Sequence, residues 1–367
     1  MLFCLSISFV FSQKQEQENN YKALKFKNFS LKEGLSQSSV LTMLQDRKGF
    51  LWFGTRDGLN KYDGNEFKIF RHNSQDSTSL SHNFIKALYE DIKGNLWVGT
   101  IDGLNKLNPE TNSFKRYVID KEKKGLDNFE VWSIVEDKDG YLWLGTSLGI
   151  KRVDTKKGVF VEVAYNKSDE KLFSRPTRSL LITNDNKLWI KTTEHIGAYN
   201  LKTQTANHYP YPENYLTELN RNNVSALYQD KKNNIWLGFK NGLALLNKDE
   251  DSFESFNLKS QNERAIKDHV RSICEDYLGN LWVGTEREGL NVRKSGRDYF
   301  ENLQEGKAFS EIKGYEITSI SEDKKGNILI GTLGRGALLY NLKTNQSQHF
   351  TAQNSGLPDD SVFDVKV

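Results

Sequence analysis

Apolar and polar positions recur along this chain with a period of about 46 residues. The most complete copy is Leu96-Trp97-Val98-Gly99-Thr100, with Glu90-Asp91 before it and Asp102-Gly103-Leu104 after it. Close variants surround Trp52, Trp143, Trp189, Trp236, Trp282 and, without the aromatic ring, Leu329. The steps between these seven anchors are 45, 46, 46, 47, 46 and 47 residues. Such regular spacing indicates a repeat architecture.

Each repeat opens with a short run that is constrained on both faces. The residue twelve positions before the anchor is Val40, Ile85, Val131, Thr177, Val224, Val270 or Ile317. Two positions later every repeat has a small side chain, and the next position is always apolar. This pattern predicts a strand that is buried on both sides.

Turn residues then separate three further strands. In six of the seven repeats the first strand ends at an Asp, and a Gly or Asn stands three residues before the anchor. This arrangement fits a type I turn closed by a bulge. The Trp run returns as the second strand, and a second Gly, such as Gly103, leads into a third. A fourth strand, such as Phe114 to Tyr117, completes the repeat. We therefore predict an all-β fold, a seven-bladed β-propeller of four-stranded antiparallel blades over residues 25–355.

The two ends of the chain differ from the repeats. Residues 1–13 are uncharged and mostly apolar, too short to span a bilayer, and resemble the end of a secretion signal. A buried N-terminal strand is the alternative. Residues 14–24 are predicted to be a spacer. Residues 356–367 have the spacing of a repeat start, so we expect a truncated eighth repeat and a chain that is a fragment of a longer one. The strand near Phe26 and the strand near His349 both qualify as the outer strand of blade 7.

The composition excludes some classes of protein but does not indicate a function. The net charge is +3, from 51 basic and 48 acidic residues, which is too small and too mixed to indicate nucleic-acid binding. If Cys4 is removed with the signal, Cys274 has no partner for an internal disulfide and is predicted to be a buried apolar filler.

No catalytic motif emerges from the sequence. The Asp column is expected to accept hydrogen bonds from the turns that follow it, and the Trp column to fill the space between sheets. The six His lack metal-site spacing. No nucleophile has a recognisable base. We therefore expect no enzyme activity, no cofactor and no metal in this segment.

A ligand site is predicted from architecture alone. If the Val-led strand is innermost, the loops before it and after the Trp strand open on one face around the central channel. A solvated rim is the alternative for each side chain there. The candidates are Arg56, Asp57, His82, Asn83, Asp102, Asn128, Glu130, Arg178, Glu194, Arg221, Asn223, Asp268, His269, Arg287, Tyr315 and Arg335.

One motif resembles the two-component regulator propeller repeat. It is complete at 90–105 and reads Glu-Asp-x-x-Gly-Asn-Leu-Trp-Val-Gly-Thr-x-x-Gly-Leu-Asn. The resemblance covers roughly residues 26–367. It implies the periplasmic sensor region of a bacterial hybrid histidine kinase, a type common in glycan-degrading Bacteroidetes. It also implies a second propeller, one membrane helix and a kinase region in the same polypeptide.

The expected function is therefore a periplasmic sensor for an oligosaccharide, tethered to the inner membrane in the full-length protein. A homodimer is possible. A propeller that serves only as a scaffold for protein–protein interaction or dimerisation is the competing hypothesis, and a propeller lyase or hydrolase is the third. The sequence does not name the ligand.

Overall fold

The computed structural model describes residues 6–7, 26–117, 129–192, 195–210, 224–249, 251–256, 266, 268–303 and 307–367. Its strands form seven four-stranded antiparallel sheets, and within each sheet the strand order follows the chain. The protein is a seven-bladed β-propeller, as the repeat predicts. Two compact units divide it: Phe29–Pro210 carries blades 1 to 4, and Met1–Asn28 with Tyr211–Val367 carries blades 5 to 7.

The strands of blades 1 to 4 have four to six residues, except the last strand of blade 3 and the first strand of blade 4, which have three. Blade 1 consists of Val40–Gln45, Leu51–Thr55, Gly58–Tyr62 and Phe67–Phe70. Blade 2 consists of Ile85–Glu90, Leu96–Thr100, Gly103–Asn108 and Ser113–Tyr117. Blade 3 consists of Val131–Glu136, Tyr141–Thr146, Gly149–Asp154 and Val159–Val161. Blade 4 consists of Leu180–Ile182, Lys187–Lys191, His195–Asn200 and Thr205–Pro210. A 3-10 turn at Lys167–Asp169 and a short helix at Glu170–Ser174 connect blades 3 and 4.

Blades 5 to 7 repeat the same design. Blade 5 consists of Val224–Gln229, Ile235–Phe239, Gly242–Asn247 and Ser252–Ser255. Blade 6 consists of Val270–Glu275, Leu281–Thr285, Leu290–Arg293 and Glu301–Asn302. Blade 7 consists of Ile317–Glu322, Asn327–Thr332, Ala337–Asn341 and Gln346–Phe350. A 3-10 helix at Lys307–Ile312 precedes blade 7, and a helical turn at Ala352–Ser355 follows it.

The turn between the first two strands of each blade has the predicted form. In blade 2 the Gly94 N–H donates to the Asp91 carbonyl at 2.8 Å, and Gly94 has a φ of +81°. Asn186 and Asn233 take the same left-handed conformation in blades 4 and 5. Only Gly and, less readily, Asn adopt this conformation without strain, which explains why these two residues alternate in the column.

Trp52, Trp97, Trp143, Trp236 and Trp282 fill the space beside the following sheet of their own unit, as predicted. The six anchor indoles are at most 3% exposed. Trp97, for example, packs in one cluster with Phe129, Val131 and Leu144 of blade 3. The Gly two residues after the anchor admits this neighbour, because a Cβ on Gly99 would lie only 2.8 Å from the Val131 Cγ1 and carbonyl oxygen. The first strands of successive blades also pack together within each unit, which places them innermost.

The outer strand of blade 7 is Gln346–Phe350, which resolves the alternative left open by the sequence. Residues 26–29 form no strand. Phe26 instead packs edge-on against Phe350, with 5.2 Å between ring centroids. Val362 lies against blade 7, where its N–H donates to the Thr332 carbonyl at 2.8 Å. Asp364–Val365 pairs in parallel with Ser6–Ile7. The rest of the signal-like segment, 1–5 and 8–13, and the predicted spacer 14–24 lie outside the described residues.

Candidate functional site

The Asp column closes the turn and holds the Trp. In blade 2, Asp91 Oδ1 accepts the backbone N–H groups of Lys93 at 3.0 Å and Asn95 at 2.8 Å. Asp91 Oδ2 accepts the Trp97 indole N–H at 2.8 Å. Asp46, Asp137, Asp230 and Asp276 accept the indole of their own blade at 2.7 to 2.9 Å. The structural role predicted for this column is therefore confirmed, and the indole bond is an addition that the sequence reading missed.

Blade 7 lacks the indole but keeps a second hydrogen bond of the turn Asp. Leu329 occupies the anchor, and Asp323 Oδ2 accepts Asn327 Nδ2 at 2.7 Å; Asp91, Asp230 and Asp276 accept the corresponding Asn at 2.8 Å beside their indole. Blade 4 keeps Trp189 but has Thr183 in place of the Asp, and Thr183 Oγ1 donates to Asp185 Oδ1 at 2.5 Å. These carboxylates serve the fold of their own blades, so they are not free to line a ligand site.

A Glu links each of four blades to the one before it. Glu136 Oε2 accepts the Ile92 N–H at 2.7 Å, across 44 residues of sequence. Glu90, Glu275 and Glu322 accept the corresponding N–H groups of Arg47, Lys231 and Tyr277. The Glu of the Glu-Asp motif thus also has a structural role, since it joins neighbouring blades. A sequence signal existed, because Glu-Asp appears in repeats 2, 3, 6 and 7, and each of these follows a repeat with the turn Asp.

A bulge near the start of the first strand carries the most variable chemistry. The register shifts between Ile85 and Ala87, and the same shift occurs in blades 1, 3, 5, 6 and 7. Such bulges re-aim the extra side chain and are common beside binding sites. The extra residues are Leu41, Lys86, Trp132, Ser225, Arg271 and Thr318. In blade 4, where the strand starts later, Arg178 holds the same repeat position.

In blades 1 to 4, Lys86, Trp132 and Arg178 join a chain of contacts that we call the cationic stripe. It consists of Arg56, Phe84, Lys86, Glu130, Trp132, Arg178 and Lys191. The Arg56 guanidinium and Lys86 Nζ lie 5.4 Å and 4.1 Å from the Phe84 ring centroid. Lys86 Nζ lies 3.8 Å from Glu130 Oε2.

Its other end is built around Trp132. The Trp132 indole N–H donates to Glu130 Oε2 at 2.6 Å, and the Arg178 guanidinium lies 4.6 Å from the Trp132 ring centroid. Burial lowers the pKa of Lys191, and the charge of Arg178 lowers it further. Lys191 and Arg178 therefore lie within electrostatic reach of each other at this end of the stripe.

Blades 5 to 7 carry a second polar cluster, in which opposite charges pair closely. Arg271 lies 2.8 Å from Glu316 and 3.2 Å from Glu286, and His269 lies 3.0 Å from Glu286. Asp268 accepts the backbone N–H groups of Arg287 and Glu288. The guanidinium of Arg335 lies 4.7 Å from the ring centroid of Tyr315.

The predicted site residues divide into several groups. Arg56, Glu130 and Arg178 lie on the cationic stripe, and Asp268, His269, Arg287, Tyr315 and Arg335 belong to the second cluster or contact its loops. The predicted site residues of blades 1 and 2 that lie outside the cationic stripe are Asp57, His82, Asn83 and Asp102. Those outside the described residues are Asn128, Glu194, Arg221 and Asn223.

Three of the blade 1 and 2 candidates make contacts within their own unit. Asp57 lies 2.9 Å from Arg71, His82 Nδ1 accepts the Phe84 N–H at 2.9 Å, and Asn83 Oδ1 accepts the His72 N–H at 2.6 Å. The sequence reading missed Phe84, Lys86, Trp132, Arg271, Glu286 and Glu316. It noted Lys191 only as a departure from the repeat.

Cys274 is half-buried, and burial raises the pKa of its thiol to about 11. A thiol that stays protonated is a poor nucleophile, which agrees with the filler role predicted for it. No helix in the described ranges is long and apolar enough to cross a membrane.

The protein is a β-propeller of seven four-stranded blades, and five of its blades share the Asp–Trp hydrogen bond at the turn. The family model for the two component regulator propeller matches residues 34–57, 79–102, 125–147, 218–241 and 266–287. The chain is therefore built from two component regulator propeller repeats. Blades 4 and 7, which lack the Asp–Trp pair, fall outside these matches.

The chain is also similar to proteins described as two-component systems or histidine kinases. The chain is 28% identical, with a TM-score of 0.62, to the extracellular domain of a protein described as a hybrid two component system, BT3049 from B. thetaiotaomicron. That alignment covers 87% of this chain and 42% of the other. Over 74 residues, 20% of this chain and 5% of its relative, the chain is 53% identical to histidine kinase P4 of Formosa agariphila. It thus spans less than half of either relative.

One more distant structure shares the fold alone. PorZ, a surface component of the type-IX secretion system of Porphyromonas gingivalis, is 14% identical with a TM-score of 0.51, over 90% of this chain and 44% of PorZ.

Proposed function

We propose that this chain is the ligand-sensing propeller of a transmembrane two-component sensor of the hybrid histidine kinase type, that it acts in the periplasm, and that it responds to a carbohydrate. The observation that carries this proposal is the similarity over 87% of the chain to an extracellular domain of a hybrid two component system. The kinase, the membrane helix and a second propeller belong to other parts of the polypeptide in this proposal. The propeller itself performs no catalysis.

The residue chemistry supports a sensing role. The carboxylates at the turns are engaged in hydrogen bonds that hold the blades. The variable side chains instead gather at the bulges of the first strands, on a rigid frame. Binding residues placed on a rigid scaffold are the usual design of recognition proteins.

The first experiment is a binding screen of residues 1–367 by isothermal titration calorimetry against neutral and acidic oligosaccharide mixtures. We expect a saturable signal from one class of saccharide. If the whole panel fails to bind while the protein self-associates in sedimentation experiments, the carbohydrate proposal is wrong and the scaffold hypothesis is supported.

A second experiment tests placement. The full-length protein, expressed in its own host, is fractionated, and the N-terminus of the mature form is read by mass spectrometry. We expect the propeller to be accessible to protease from the periplasmic side and the mature chain to begin after the signal-like segment. A propeller protected until the inner membrane is opened would contradict this placement.

A further inference from the structure

We propose that the cationic stripe of blades 1 to 4 binds an anionic saccharide, one whose sugar ring lies near Trp132 and whose carboxylate or sulfate pairs with Arg178 and Lys191. This inference rests on the proposed sensing function and names the ligand class of that function. Every residue of the stripe lies within the unit Phe29–Pro210.

The first argument is the balance of charge. The stripe contains four cationic side chains, those of Arg56, Lys86, Arg178 and Lys191, and one carboxylate, that of Glu130. In the cluster of blades 5 to 7, by contrast, Arg271 contacts two carboxylates, those of Glu286 and Glu316. Within the described residues neither Arg56 nor Arg178 forms an ion pair, so the stripe has positive charge to spare for a ligand.

The second argument is the kind of hydrogen bond that the stripe offers. Arg and Lys side chains donate and never accept. The one carboxylate is partly engaged, because its Oε2 accepts the Trp132 indole N–H and lies 3.8 Å from Lys86 Nζ. A neutral sugar needs both donors and acceptors for its hydroxyl groups, whereas an acidic sugar supplies the acceptors that this surface lacks.

The third argument is preorganisation. The Arg178 guanidinium is held over the Trp132 ring, and Trp132 is itself oriented by its hydrogen bond to Glu130. Arg178 is exposed, while Trp132 and Phe84 are half-buried. Aromatic rings beside a fixed guanidinium offer a sugar both an apolar platform and a planar partner for its acidic group.

The experiment is a set of calorimetric titrations at low salt with matched oligosaccharides. Digests of polygalacturonate and alginate supply carboxylates, a carrageenan digest supplies sulfate, and digests of laminarin and mannan are neutral. A glutamate tetrapeptide tests acidic peptides. We expect acidic saccharides to bind at least about tenfold more tightly than neutral ones, as charge-assisted hydrogen bonds allow. The carboxylate and sulfate arms then show which group is preferred.

Four variants locate the site. Arg178→Gln is expected to weaken acidic saccharides about tenfold while leaving any neutral binding unchanged. Trp132→Ala should weaken binding more than Trp132→Phe, which keeps an aromatic face. Glu130→Gln should strengthen acidic ligands, because it removes the single negative charge of the stripe. A thermal melt of each variant confirms that it is folded.

The matched control is Arg297→Gln in blade 6, which removes an Arg–aromatic pair with Tyr299 and should leave binding unchanged. If neutral saccharides bind as tightly as acidic ones, the inference is wrong while the sensing function stands. If Arg297→Gln weakens binding as much as Arg178→Gln, the stripe is not the site. If only the tetrapeptide binds, both the saccharide class and the proposed carbohydrate response are overturned.

Discussion

At the scale of single residues, the Asp that ends the first strand does two tasks with its two oxygens. Oδ1 of Asp91 holds the turn, and Oδ2 holds the indole of Trp97. The carboxylate is 1% exposed, so each lost hydrogen bond leaves a buried polar atom without water to replace it. The turn and the hydrophobic contact with the next blade are therefore coupled through one side chain.

Asp91→Asn tests this coupling. Asn keeps an oxygen for the turn but presents an amide N–H₂ where the Trp97 indole N–H needs an acceptor. We expect a loss of about 1–3 kcal/mol in the free energy of unfolding, measured by urea denaturation. Asp139→Asn, the same charge change at an exposed turn residue of blade 3, should be close to neutral. In a Trp97→Phe background Asp91→Asn should cost less, and equal costs in both backgrounds would show that the indole bond contributes nothing.

The same carboxylate predicts a pH dependence. The pKa of Asp91 is lowered from 3.8: burial acts to raise it, but hydrogen bonds from Trp97 and Asn95 outweigh burial. A lowered folded-state pKa stabilises the protein above the unfolded-state pKa, and this stabilisation is lost as the pH falls through the folded-state value. The stability difference between wild type and Asp91→Asn should be constant above about pH 5 and shrink below 3.8. A difference that grows in acid would contradict this sign.

At the scale of elements, neighbouring blades are joined by hydrogen bonds between residues that lie far apart in the sequence. Glu136 lies at the end of a first strand, and its partner is the Ile92 N–H in the turn of blade 2. Burial raises the pKa of Glu136, and the charges of Asp91 and Asp137 raise it further. Since a raised folded-state pKa means that the ionised form is disfavoured in the folded protein, stability is lost as the pH rises through that value. The link therefore depends on an acceptor oxygen rather than on charge.

Glu136→Gln and Glu136→Ala separate these two contributions. Gln retains an acceptor for Ile92 and removes the charge, so at pH 7 we expect it to be as stable as wild type or slightly more stable. Ala removes the acceptor and should cost about 1 kcal/mol or more in thermal or urea unfolding. Glu162→Gln and Glu162→Ala, at an exposed position beside blade 3, serve as controls and should both be near neutral. Equal losses in the Glu136→Gln and Glu136→Ala variants would assign the link to charge.

The sequence predicted the elements better than the site, for a physical reason. Turns and packed columns recur with the same side chain at the same spacing, because each blade solves the same packing problem. Asp91, Gly94 and Trp97 are therefore visible from periodicity. The bulge residues are the opposite case: Lys86 and Trp132 occupy one repeat position yet share no chemistry, so periodicity does not mark them. Register shifts of this kind follow from three-dimensional pairing, and Arg178 was predicted only as part of a wider rim.

At the scale of the whole molecule, a blade is completed by the start of the next repeat within its own unit, and the segment after blade 7 follows the same rule. Val365 N–H donates to Ser319 Oγ at 3.0 Å, as Ile320 N–H donates to Ser272 Oγ at 3.0 Å one blade earlier. Gly336 N–H donates to the Asp360 carbonyl at 2.6 Å, the counterpart of Gly58 and Asn83 in blade 1 at 2.7 Å. Segment 356–365 therefore occupies on blade 7 the place that a following first strand occupies elsewhere.

Val362→Ala tests whether blade 7 depends on that segment. Val362 is fully buried against Gly331 and shares a cluster with Leu329, Leu339 and Phe350, so we expect a loss of about 2 kcal/mol in the free energy of unfolding of the unit that contains blade 7. Val367→Ala, the same change at a residue that is 51% exposed, should have almost no effect. Hydrogen exchange adds an independent measurement, since the amides of Gly336 and Val362 should exchange as slowly as those of blade 7 itself. Fast exchange at both amides, with the blade 7 amides still protected, would show that the segment is not part of its cooperative unit. In that case the rule that a blade is completed by its successor would hold only between full blades.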